Sequence, residues 1–117
     1  MSGALARPLR LRGTTRIQRN VAAHEVGKAV AGMGGVIVGH TAYSSISLAV
    51  RFELPAKWVD HLSGELAGCG IRLDDDSEAA LRGFSPASDD SELVASLYLR
   101  FVHDEPDLRR EVPPVPG

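Results

Sequence analysis

The chain has 117 residues, 44% hydrophobic and 24% charged, enough for one continuous core and too few for two. That balance excludes a disordered chain, and no apolar run reaches the about 18 residues of a membrane helix. The single cysteine, Cys69, excludes an internal disulfide and fits a reducing, cytoplasmic setting.

The net charge of −2 is unevenly placed. Residues 1–19 carry Arg7, Arg10, Arg12, Arg16 and Arg19 and no acid, so all 15 acidic residues lie in the remainder. Such a basic segment can bind nucleic acid or resemble a transit peptide. The reading adopted is a solvated segment that offsets the acidic body, with residues 1–8 as a flexible arm. No signal-peptide core follows it. Aromatics are only 5%, so Leu, Val, Ile and Ala must build the core.

Pro8 to Arg12 alternates leucine and arginine, the pattern of a half-buried strand, and Pro8 suits an edge or a strand start. Gly13-Thr14-Thr15 reads as a turn with a hydroxyl N-cap. From Arg16 to Met33, Ile17, Val21, Ala22, Val26, Ala29, Val30 and Met33 fall at helical spacing, and Gly34-Gly35 ends the helix. A strand from Val36 to about Tyr43 follows, with a turn at Ser44-Ser45. In the strand Ile46–Leu54, Ile46, Leu48, Val50, Phe52 and Leu54 share one face and Ser47, Ala49, Arg51 and Glu53 the other. The short connection predicts a hairpin. Pro55 opens a second helix over 56–67, with Val59, Leu62, Leu66 and Trp58 inward, stopped by Gly68 and Gly70. Ile71-Arg72-Leu73 is a short strand. Asp74 to Ser77 caps a short helix from Glu78 to Arg82, and residues 83–91 form a loop. Leu93 to His103 alternates again as a strand. The tail over 104–117 contains Pro106, Pro113, Pro114 and Pro116 and is expected to be extended.

Ser47-Leu48-Ala49-Val50-Arg51-Phe52 echoes Ser96-Leu97-Tyr98-Leu99-Arg100-Phe101 in its Ser, Leu, Arg and Phe. The two strands are either neighbours or counterparts in a half-repeat, or the match is common strand vocabulary. The order β-α-β-β-α-β, with a further short helix and strand, predicts a single α+β domain over 1–117. It resembles the ferredoxin-like arrangement, an antiparallel sheet with two helices on one face, here with an extra C-terminal strand. Gly34-Gly35-Val36-Ile37-Val38 after a helix, then Ser45 to Val50 and a second helix, resembles the ACT-type small-molecule-sensing domains over residues 9–73. That resemblance implies an effector, often an amino acid, near the first strand–helix turn at a subunit interface. Gly13 matches the turn glycine, but Leu11 and Arg12 stand where the family has its acidic residue and proline.

The chemical motifs reduce to structural roles. His24-Glu25-Val26-Gly27-Lys28 has a cation where H-E-x-x-H needs its second zinc ligand. His40, His61 and His103 stand in no ligand frame, and His40 and His103 are read as strand-end residues at the core rim. Asp74-Asp75-Asp76 with Glu78 lacks the calcium-loop glycine and distal glutamate. Cys69 reads as a small buried residue. Gly32 to Gly35 precedes a strand, so it is no phosphate loop. No metal or cofactor is called for.

The sheet face opposite the helices is the most informative surface. By parity it holds Tyr43, Ala49, Arg51, Val94, Tyr98, Arg100 and Val102, a mixture typical of interface cores. Tyr43, Arg51, Tyr98 and Arg100 are the candidate ligand- or partner-binding residues. The same mixture can stack bases, but the paired aromatic motif of RNA-recognition sheets is missing and the body is acidic. The preferred expectation is a non-enzymatic homo-oligomer with a regulatory, small-ligand or partner-binding role. The alternative is a small enzyme with His40, His103, Glu53 or Arg51 at a dimer seam or helix–sheet pocket.

Overall fold

The computed structural model describes residues 9–44, 46–84 and 91–102. The elements in chain order are β1 (Leu9–Thr15), α1 (Arg19–Gly32), β2 (Val36–Ser44), β3 (Ser47–Pro55), one 3-10 turn (Ala56–Trp58), α2 (Val59–Gly68), β4 (Ile71–Leu73), α3 (Asp75–Arg82) and β5 (Glu92–Phe101). The result is an α+β unit, with one five-stranded sheet in the order β2-β3-β5-β1-β4.

Strand parity sets the layers. Leu11, Leu48, Val50, Phe52, Leu54, Ile71, Leu73, Leu93, Ala95, Leu97, Leu99 and Phe101 are buried. They form one core with Ala22, Val26 and Val30 of α1, Val59, Leu62 and Leu66 of α2, and Leu81 of α3. The two expected helices therefore share one face of the sheet, and the short third helix, α3, joins them there through Leu81. Burial of these apolar groups is the main source of stability.

The sheet is mixed, not antiparallel throughout. β5 pairs antiparallel with β3, from Ser47↔Arg100 to Pro55↔Glu92. It pairs parallel with β1, from Leu9↔Ala95 to Thr15↔Phe101. In the split β-α-β arrangement β1 lies beside β3, so the added strand has entered the middle of the sheet rather than an edge. The physical reason is β5 itself. It is the longest strand, with ten residues alternating between the core and the other face, and both of its backbone edges are paired.

β1 is consequently an interior strand between β5 and β4, not the edge suggested by Pro8, which lies outside the described residues. Residues 13–15 belong to this strand and are not a turn with an N-cap. Gly13 faces the core, where an added Cβ would stand 3.0 Å from the Arg72 carbonyl oxygen. The Thr15 hydroxyl donates to the Gly70 carbonyl oxygen at 2.8 Å and accepts the Ile17 N–H at 3.3 Å, so a tertiary bond is added to its local one. α1 starts later, at Arg19, with Gln18 at the N-cap and no side-chain cap. Val21 is 42% exposed and does not face the core.

At the other end of α1, Gly34 has φ 79° and the Gly35 N–H donates to the Val30 carbonyl oxygen at 2.8 Å. A side chain on Gly35 would overlap the Glu53 carbonyl oxygen and lie 2.7 Å from Leu54 Cβ. The helix thus passes into β2 flush against β3. Register shifts between Ile37 and Gly39 and between Ala42 and Ser44 break the simple parity of β2. Ile37 packs on the core, while Val36 and Val38 are 57% and 52% exposed. Ile46 precedes β3 and is largely exposed, contrary to its expected inward place.

β4 occurs where the sequence predicts it. α3 begins at Asp75, earlier than Glu78, because the Asp74 carboxylate caps it by accepting the Ser77 N–H at 2.8 Å. Most of the 83–91 loop and all of the 104–117 tail lie outside the described residues, as does the 1–8 arm.

Candidate functional site

No described helix or strand covers the sheet face away from the helices, the open face. β1 presents Arg10, Arg12 and Thr14, β3 presents Ser47, Ala49, Arg51 and Glu53, β4 presents Arg72, and β5 presents Glu92, Val94, Ser96, Tyr98 and Arg100. The alternation that sends leucines to the core sends arginines here.

The echoed strands β3 and β5 are antiparallel neighbours. Ala49 and Tyr98, equivalent in the repeated motif, are directly opposite each other. Ser47↔Arg100 and Arg51↔Ser96 flank them on either side. The repeat therefore produces a local two-fold pattern, with an arginine facing a serine on each side of Tyr98.

On its other edge, β5 meets β1, placing Arg12 opposite Tyr98, Arg10 opposite Ser96 and Thr14 opposite Arg100. β4 then sets Arg72 opposite Thr14. Thr14 is thus flanked by two arginines, each one strand spacing away, about 4.8 Å. Arg12 stands two residues along the same strand, about 7 Å away. Among the described residues, no carboxylate is within ion-pair distance of Arg10, Arg12, Arg51, Arg72 or Arg100.

Among the described residues, a larger and a smaller groove lie on this face. The larger, about 760 Å³, is lined by Arg12, Thr14, Ser47, Arg72, Tyr98 and Arg100 among others, and by Asp74 and Asp75 at its β4 side. The smaller, about 210 Å³, is lined by Tyr43, Arg51 and Tyr98, with His40 and Thr41. The four sequence candidates therefore fall on this face. Tyr98 belongs to both grooves, Tyr43 and Arg51 to the smaller and Arg100 to the larger. Tyr98 is 37% and Tyr43 64% exposed. The sequence reading overlooked Arg12, Thr14 and Arg72. Their signal was present in Leu9-Arg10-Leu11-Arg12 and Ile71-Arg72-Leu73, where the same parity applies.

The enzymatic candidates do not converge in the same way. His40 and Arg51 share the smaller groove, but Glu53 is not part of its wall. His103 lies outside the described residues. His40 is exposed on edge strand β2, where the register shift after Ile37 sets it opposite the buried Val50.

Electrostatics divide the molecule into two layers. Asp60, Glu65, Asp76 and Glu78 are on α2 and α3, whereas the open face carries Arg10, Arg12, Arg51, Arg72 and Arg100 against Glu53 and Glu92, with Asp74 and Asp75 in the wall of its larger groove. The Asp74 carboxyl is held below its ordinary range, first by hydrogen bonding from Ser77 and with a smaller contribution from the Arg12 charge. Cys69 is half-buried rather than buried, and its thiol approaches the Glu25 carbonyl oxygen at 3.6 Å. Desolvation, with the charges of Glu25 and Glu65, pushes this thiol above its ordinary value, while Lys28 opposes them. A protonated thiol is a weak nucleophile.

Among the described residues, no three His, Cys, Asp or Glu side chains are grouped to hold a metal ion, and no helix is long and apolar enough to cross a membrane. No protein-family model matches this chain, and neither curated proteins nor solved structures give a significant match.

Proposed function

We propose that this chain is a non-enzymatic binding module, a ferredoxin-like variant in which the open sheet face takes an anionic small molecule in a regulatory role. The observation that carries this reading is the gathering of arginines from four strands around Tyr98, with no carboxylate in ion-pair distance among the described residues. Guanidinium groups crowded on a shared surface repel one another, and an anion relieves that cost. The larger groove falls within the 300–1,000 Å³ range typical of small-ligand sites.

The order of the first six elements also resembles ACT-type sensing domains, in which a ligand regulates. A homo-oligomer built face to face through this surface would oppose the arginines of one copy to those of the next. That repulsion favours a small anion over a second copy as occupant of the face.

Retention on phosphocellulose at pH 7 tests the reading. A chain of net charge −2 and isoelectric point near 6.0 is held there only through a basic patch. The expected result is retention at low salt, with the triple variant Arg12→Gln, Arg72→Gln, Arg100→Gln eluting earlier. Co-elution of the variant with the unmodified protein refutes the proposal.

A further inference from the structure

We infer that the larger groove is a nucleotide site, in which Thr14, Arg72, Arg100 and Arg12 hold the phosphates and Tyr98 stacks the base. This inference rests on the anion-binding reading above and narrows it to one ligand class.

The register supplies the phosphate position. Thr14 lies between Arg100 and Arg72, its direct partners on β5 and β4, with Arg12 one open-face step away. A phosphate above Thr14 meets a hydroxyl donor and three guanidinium forks, which match phosphate oxygens in pairs. Thr14, Arg12, Arg72 and Arg100 all line the groove.

A second observation asks for more than phosphate. At about 760 Å³ the groove far exceeds an inorganic anion, and it extends from Thr14 to Tyr98. Tyr98 lies diagonal to Thr14 across the parallel β1–β5 pair, a separation of about 8 Å from strand spacing and rise, roughly that between a nucleotide's base and its phosphate. Tyr98 is 37% exposed, its β3 neighbour is the small Ala49, and its β1 neighbour is Arg12. An aromatic base can therefore lie on the ring with a guanidinium beside it.

The flanks select a free nucleotide over a polymer. On one side stand Ser44 and Ile46 at the β2–β3 turn, and on the other Asp74 and Asp75. The Asp74 carboxylate is engaged with the Ser77 N–H. The two acids repel a phosphodiester chain continuing past the β4 side, yet leave the Thr14 position to the arginines.

Calorimetric titration with ATP, tripolyphosphate and adenosine, in magnesium-free buffer at low ionic strength, tests the assignment. The expected order of affinity is ATP, then tripolyphosphate, then adenosine. Arg72→Gln and Arg100→Gln each weaken ATP and tripolyphosphate about tenfold, the loss of a charge-assisted hydrogen bond. Tyr98→Ala weakens ATP about tenfold and leaves tripolyphosphate unchanged, and Tyr98→Leu serves if the alanine variant does not fold. ATP binding no better than tripolyphosphate, or ATP binding indifferent to Tyr98, overturns the nucleotide assignment. So does a short oligothymidine that binds more tightly than ATP and displaces it. If phosphocellulose still retains the protein through its arginines but ATP does not bind, only this inference fails. If neither interaction occurs, the anion-binding reading fails with it.

Discussion

The Ser77 hydroxyl oxygen accepts the backbone N–H of Arg12 at 2.7 Å, across 65 residues of sequence. The bond lies where the β1–β4 ladder ends, next to the bond from the Asp74 N–H to the Arg12 carbonyl oxygen at 2.9 Å. Ser77 is 3% exposed and replaces the ladder partner that the three-residue β4 is too short to supply. α3 thereby fixes the stretch of β1 that carries Arg12 and Thr14 into the groove.

Ser77→Ala leaves the Arg12 N–H without this acceptor in a part-buried place. The expected loss is about 1–3 kcal/mol of unfolding free energy, measured by urea denaturation. A change below about 0.5 kcal/mol would show that water satisfies this N–H equally well.

Two glycines have opposite expectations. Gly35→Ala drives a methyl group into the β3 backbone at Glu53 and Leu54, and a loss of about 1–3 kcal/mol is expected. Gly64, exposed within α2, has no atom within 4 Å of an added Cβ. Gly64→Ala should stabilise the protein by about 0.5–1 kcal/mol through helix propensity and a less free unfolded chain. Thermal midpoints of the two variants, moving in opposite directions from the parent, are the check.

The thiol of Cys69 titrates above its ordinary value of 9.0, so at pH 8 less thiolate is present than in an unfolded chain. Its alkylation by iodoacetamide should be slower in native protein than in urea, and the native rate should continue to rise past pH 9.0. The sign for stability follows by linkage. The folded state holds the proton more tightly, so this contribution is present below the unfolded value and is lost as pH rises through the folded one. Equal alkylation rates in the native and unfolded states would contradict this placement.

The crowding of arginines on the open face predicts a salt response. Raising ionic strength from about 0.02 to 0.2 M shortens the Debye length severalfold and screens their mutual repulsion. The thermal midpoint should rise, and the rise should shrink in the Arg12→Gln, Arg100→Gln double variant. Each exposed charge contributes less than about 1 kcal/mol. An identical salt dependence in both proteins would show that the repulsion is negligible.

Much of the fold was readable locally. The elements and their order follow from hydrophobic period, from glycine stops and from the Asp74 cap, and the buried faces of β3 and β5 follow from strict alternation. Errors arose where tertiary contacts outweigh local preference. Thr15 is drawn into β1 by Gly70 and by pairing with Phe101, and β2 is bulged, so its parity cannot be carried past Ile37.

Sequence alone determined that β1, β3, β4 and β5 each place leucine, isoleucine, valine or phenylalanine on one side and a mixture rich in arginine on the other, because side-chain direction along a strand alternates residue by residue. Only the tertiary structure decided which strands are neighbours, inserting β5 between β3 and β1 and gathering Arg12, Arg72 and Arg100 around Thr14. Strand adjacency depends on backbone pairing between segments far apart in the chain, and a local alternation is equally satisfied by any neighbour that covers the same face.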